Sequence, residues 1–231
     1  MTNAFIQKNA PLLALCLSSA AHAASPGFDC AKVRQPSTEA IVCVDVELSK
    51  LDRQMAQVYA AALKKAHNQR PPLLKVEQRG WIKGRNDCWK SADRHQCIAE
   101  SYRLRIAELQ ARYRLIPPMA TVRYACDGNP ANEVVATFFN TNPATLIAEW
   151  GDSVSFMVQQ RSASGARYQG RNESLWEHQG EAKVVWGYQT PEMRCRPLCA
   201  KPNPDQCVAR RNSAARAAMA GRSKVAPALA R

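Results

Sequence analysis

Acidic side chains are scarce in this chain: 19 Asp and Glu stand against 32 Lys and Arg, a net charge of +13 over 231 residues. Such an excess favours anionic partners and slows encounter with basic ones. No run of residues is long and apolar enough to form a membrane helix. A phosphate-binding glycine loop and a dinucleotide fingerprint are both missing. Acyl transfer needs a Ser or Cys with an orienting His, and glycoside hydrolysis needs two carboxylates facing one cleft. Ser164 and His178 can be drawn as such a pair, but no acid, oxyanion-hole motif or nucleophile elbow accompanies them. The chain therefore does not read as an enzyme. Paired Cys-x-x-Cys motifs are also missing and the four histidines are scattered, so neither a metal nor a cofactor is expected.

What is present begins with an export signal. Lys8 gives a weakly positive start, Pro11 to Ala20 a short apolar core, and Ala21-His22-Ala23 a small-x-small cleavage pattern, so residues 1–23 read as a signal peptide. Leu15 is too large for the residue preceding a lipidated Cys16, which predicts a soluble periplasmic or secreted product. Eight cysteines then remain: Cys30, Cys43, Cys88, Cys97, Cys126, Cys195, Cys199 and Cys207. An even number in an oxidising compartment predicts disulfides, and their grouping predicts two in each half.

A change of hydrophobic period divides the chain. Residues 26–116 read as a disulfide-stapled helical bundle. Ser37 and Asp45 are its first caps, Leu48, Leu51, Met55, Val58 and Ala62 form one apolar stripe, and Pro71-Pro72 makes a break. A last helix carries Ile98, Tyr102, Ile106, Leu109 and Tyr113 on one face, with Arg103, Arg105, Glu108 and Arg112 on the other. Trp81, within Gln78-Arg79-Gly80-Trp81, reads either as core or as part of a binding patch. Residues 121–197 read as up to eight short antiparallel strands separated by turn residues such as Asp127-Gly128-Asn129-Pro130 and Gly151-Asp152, which fits a small closed β-barrel. The fold class is thus α+β. Residues 198–231 contain no acid from Ala209 onward and read as a basic, disordered arm for lipid phosphate or cell-wall polymer. Export argues against nucleic acid as its target.

One stretch, Arg161 to Ala182, is ordered like a binding device. Ser162, Ala163, Ser164, Gly165 and Ala166 are too small to build a core, so they form an exposed loop whose hydroxyls and backbone N–H groups suit an acidic target. An ordinary hairpin turn has the same composition, and the residues alone leave both readings open.

Several groups of residues, in chain order, carry a resemblance. Tyr124-Ala-Cys126-Asp-Gly128, Phe138-Phe139-Asn140, Pro143-Ala-Thr-Leu146, Glu149-Trp150-Gly151, Ser162-Ala-Ser164-Gly165-Ala-Arg167-Tyr168, Leu175-Trp176, Glu181-Ala182 and Cys195 resemble the MliC/PliC family of bacterial inhibitors of c-type lysozyme. That resemblance implies a barrel sealed by a Cys126–Cys195 bridge. It also implies a Ser-Gly loop that enters the lysozyme cleft and bonds to its catalytic carboxylates, assisted by a following Lys. Carried over, the lysozyme-binding residues are Ser162, Ser164, Gly165, Ala166, Arg167 and Tyr168, with His178 at the Lys position and Gln179 in place of the next Gly. In the first half, Phe28-Asp29-Cys30-Ala-Lys32, Glu39-Ala-Ile-Val-Cys43, Glu47-Leu48, Leu51-Asp52, Tyr59, Glu77-Gln78-Arg79-Gly-Trp81, Arg85-Asn86-Asp87-Cys88, Cys97 and Tyr102 are similar to the LprI-like domain. Some members of that family inhibit lysozyme.

The sequence thus points to an exported inhibitor of c-type lysozyme. Lysozymes of that type are basic, so affinity must come from contacts in the cleft rather than from long-range attraction. The alternative is a non-inhibitory envelope protein whose helical half and tail bind anionic polymer; His178 and Gln179 favour it, and the intact Ser164-Gly165 favours inhibition.

Overall fold

Ser37 accepts a hydrogen bond from Ala40 N at 3.1 Å and starts helix α1, Thr38–Val44, in a computed structural model that describes residues 25–69 and 72–198. Asp45 both ends that helix and caps the next, α2 (Val46–Lys65), by accepting from Leu48 N at 2.8 Å. A short polar side chain at each position satisfies an amide that has no partner within the helix. After Pro72 comes α3 (Leu73–Asn86); Asp93 then caps α4 (Arg94–Arg112) through Gln96 N at 2.8 Å. Leu48, Met55 and Ala62 of α2 are buried with Leu74 of α3 and Ile98, Tyr102, Ile106 and Leu109 of α4. Cys30–Cys43 and Cys88–Cys97 are bridged.

One expectation for this half is overturned. Arg105 belongs to the predicted solvent face of the last helix, yet it is only 4% exposed. Its Nε donates to Gln78 Oε1 at 3.2 Å and its Nη1 to Glu108 Oε2 at 2.8 Å. Helix α3 packs against α4 and covers that side, which a single-helix pattern does not reveal.

The second half is a closed barrel of eight antiparallel strands, each paired with its neighbour in sequence and the last with the first. They are β1 (Ala120–Cys126), β2 (Asn129–Phe139), β3 (Thr145–Trp150), β4 (Ser153–Gln160), β5 (Ala166–Gln169), β6 (Glu173–His178), β7 (Glu181–Trp186) and β8 (Met193–Pro197). Alternate residues fill the interior, among them Tyr124, Val134, Phe138, Leu146, Met157, Tyr168, Leu175 and Val184. Asn129 and Pro130, expected in a turn, instead start β2. Asp127 and Gly128, at φ 53° and 72°, complete the reversal alone in the two-residue form that matches strand twist. Cys126 and Cys195 are register partners and are bridged, sealing the β1–β8 seam.

Part of the barrel's outer face is also buried. Phe139, Ile147 and Phe156 pack against Ala111 of α4 and Ile116 beyond it, and the Arg112 guanidinium lies 5.7 Å from the Phe156 ring centroid. Cys199, Cys207, the predicted signal peptide and the basic arm from residue 199 onward lie outside the described residues.

Candidate functional site

Strand order gathers four connections at one end of the barrel: the segment leading from α4 into β1, the stretch 140–144 between β2 and β3, loop 161–165 between β4 and β5, and the Gln179-Gly180 turn between β6 and β7. The loop is held against β6. Gly165 has φ 67°, and a Cβ there would fall 1.9 Å from the Glu177 carbonyl oxygen, so only glycine permits this approach. From the same strand the Trp176 indole donates its N–H to the Ser164 carbonyl at 3.0 Å. That carbonyl also accepts the Ser162 hydroxyl at 2.6 Å. Ser162 is half-buried, whereas Ser164 is exposed.

The side chains implicated by sequence separate onto two faces. Ala166 and Tyr168 are buried, and Tyr168 meets Phe138 edge-on with centroids 5.5 Å apart, so both belong to the barrel core. Arg167, exposed, is the register partner of Trp176 on the outside. His178 lies two residues beyond Trp176 on that same outer face and stacks on its ring, with centroids 5.2 Å apart and planes 18° apart. Gln179 has φ 48° and Gly180 φ 85°, a turn geometry in which glycine is at ease and glutamine is not.

Two contributors, Lys183 and Glu177, are absent from the sequence reading, and a third, Trp176, has a role that it did not give. Trp176 is an anchor for the loop rather than only a packing residue, and alternation along β6 is the signal that places it with His178. Lys183, the register partner of Trp176 on β7, lies over its ring at 5.7 Å and pairs with Glu192 at 2.9 Å, which adds a cation beside His178 and Arg167. Glu177 projects into the barrel interior, where it accepts the Tyr124 hydroxyl. Burial raises the Glu177 carboxyl above the ordinary glutamate range, although the Tyr124 bond opposes the shift. Burial likewise raises the Tyr124 and Tyr168 phenols, and the nearby Glu177 charge adds to both shifts.

Chemically this end presents an exposed hydroxyl, a tightly turned backbone and two cations, Arg167 and Lys183, beside an indole on which His178 stacks, an arrangement that suits carboxylates. Among the described residues no cluster of three or more His, Cys, Asp and Glu is placed to hold a metal, and no helix is long and apolar enough to cross a membrane.

Two known families match the chain, in the same order as its helices and its barrel. Residues 30–109 match the family described as lysozyme inhibitor LprI, and residues 124–193 match the one described as membrane-bound lysozyme-inhibitor of c-type lysozyme, MliC. Proteins named lipoprotein LprI from Mycobacterium bovis and from two strains of Mycobacterium tuberculosis are each 34% identical to it over 167 residues, 70% of this chain and 80% of theirs. No solved structure matches the chain.

Proposed function

Because the chain belongs to the LprI family, with an MliC-type barrel as its second half, we propose that it is an exported inhibitor of c-type lysozyme that acts by inserting the loop at 162–165 into the enzyme's active-site cleft. The observation that carries this reading is the brace on Ser164-Gly165: the loop is held by the Trp176 indole and lies close against the Glu177 backbone. A loop fixed before binding loses little freedom on entering a cleft. Ser164 then donates to a carboxylate of the enzyme, while Arg167 and Lys183 add positive charge at the rim and His178 offers its ring nitrogens beside them. These contacts offset the repulsion expected between two basic proteins.

A charge-assisted hydrogen bond in a water-poor cleft contributes on the order of 1.5–3 kcal/mol, so the Ser162→Ala, Ser164→Ala double variant should bind roughly 10- to 150-fold more weakly. Most of the loss should come from Ser164, since Ser162 already donates within the loop. Dissociation constants for wild type and both single variants, together with a cell-wall turbidity assay, test this. Undiminished inhibition by the double variant rules the mechanism out.

A further inference from the structure

The helical half contains an open cleft of about 280 Å³ that the loop mechanism does not use. It lies where α2 and α3 meet the chain entering α1, and Phe28, Glu39, Asp52, Tyr59, Gln78 and Trp81 line it together with Arg85. All seven are among the residues that carry this half's family resemblance, although they are spread over nearly 60 positions.

Hydrogen bonding in the wall defines what the cleft can accept. Arg85, with its side chain 5% exposed, is committed internally: Nη1 donates to the Tyr102 hydroxyl at 2.6 Å, Nε to Asn86 Oδ1 at 3.1 Å, and Nη2 to Glu39 Oε1. Tyr102 in turn donates to Asp52 Oδ1 at 2.8 Å, and Gly27 N donates to Asp52 Oδ2 at 2.7 Å. The charged donor of the wall, the Arg85 guanidinium, is therefore engaged within the wall, and the Trp81 indole N–H is engaged with the Ser101 carbonyl at 3.2 Å. Acceptors are not exhausted, because both contacts to Glu39 fall on Oε1 and each oxygen of Asp52 has further lone-pair capacity. Two carboxylates against one guanidinium leave the lining net negative within a chain of net charge +13. Apart from Gln78, the remaining wall is mainly apolar and aromatic, formed by Phe28, Met55, Tyr59, Trp81 and Ile82.

Such a cleft suits a ligand with an aliphatic stem and a cationic, donor-rich tip. Its volume lies at the lower edge of the roughly 300–1,000 Å³ usual for ligand pockets, which leaves room for one side chain rather than a run of sugar rings. We propose that this cleft receives a single Lys or Arg side chain projecting from a protein partner, forming a second contact point distinct from the barrel loop. It takes from the functional reading only that the partner is a basic protein.

The test titrates the full mature chain with N-acetyl-arginine methylamide, its neutral citrulline counterpart and di-N-acetylchitobiose, following the indole N–H resonance of Trp81. The arginine derivative should bind saturably in about the millimolar range, and the citrulline derivative roughly 10-fold more weakly. Two rim positions give opposite signs without touching the network: Ala56→Trp fills the cleft and should abolish binding, whereas Ile82→Glu adds a carboxylate and should tighten it by about 3-fold. In lysozyme binding, Ala56→Trp should cost affinity in wild type and in the Ser162→Ala, Ser164→Ala variant alike. Equal binding of the citrulline derivative, no saturable shift, or tighter binding of chitobiose overturns the proposal, the last by making the cleft a glycan site. A chain that takes the arginine derivative but never binds lysozyme would refute the functional reading and leave the cleft's chemistry standing.

Discussion

Glu177 is the residue at which the barrel's interior and its candidate site meet. Its carbonyl limits how large residue 165 can be, and its carboxyl sits among Tyr124 and Tyr168 inside the barrel. Because burial raises its pKa in the folded state, the fold disfavours the charged form. That penalty is absent below the ordinary glutamate range, grows as pH rises, and is complete once pH passes the raised value. Glu177→Gln retains an acceptor for the Tyr124 hydroxyl and removes the charge. It should melt at about the same temperature as wild type near pH 4 and several degrees higher near pH 7.5. Thermal unfolding from acid to neutral pH checks the sign; an advantage for the variant that is largest in acid would show that Glu177 is not penalised as described.

At the scale of elements, the loop at 161–165 behaves as part of β6 rather than as a free connection. Trp176→Phe keeps an aromatic ring for His178 and Lys183 to pack on but removes the N–H that holds the Ser164 carbonyl. Losing one neutral hydrogen bond, about 0.5–1.5 kcal/mol, should weaken lysozyme binding roughly 2- to 10-fold with little change in melting temperature. Calorimetric titration beside thermal unfolding would separate the two effects, and unchanged affinity would remove Trp176 from the mechanism.

The same elements show what a sequence can reveal. Caps at Ser37 and Asp45, the short strand-like runs separated by turn residues, and the small-residue loop are local patterns set within a few residues, and they were legible. Burial of Arg105 depends on α3 lying against α4, and the Trp176 anchor depends on β5 and β6 pairing in one register. The cover over Phe139 and Ile147 joins residues far apart in sequence. No short-range pattern encodes such placements, so the loop was recognisable while the parts that hold it were not.

On the scale of the whole molecule, the two halves share a surface: the end of α4 and the segment after it shield Phe139, Ile147 and Phe156 of the barrel. A fragment of residues 119–197 retains every strand, the Cys126–Cys195 bridge and the loop, so it should bind lysozyme within about 3-fold of the full chain if the barrel is the inhibitor. Its uncovered apolar patch should lower its melting temperature and promote self-association. Affinity measured beside light scattering tests both; inhibition confined to residues 25–116 would move the activity to the helical half. The bridge has one more consequence. Because it joins the first strand to the last, it encloses every connection between them, including the exposed Ser-Gly loop. A single protease cut at any point from residue 127 to residue 194 therefore leaves one covalent molecule in an oxidising environment, and the severed pieces can part only after reduction.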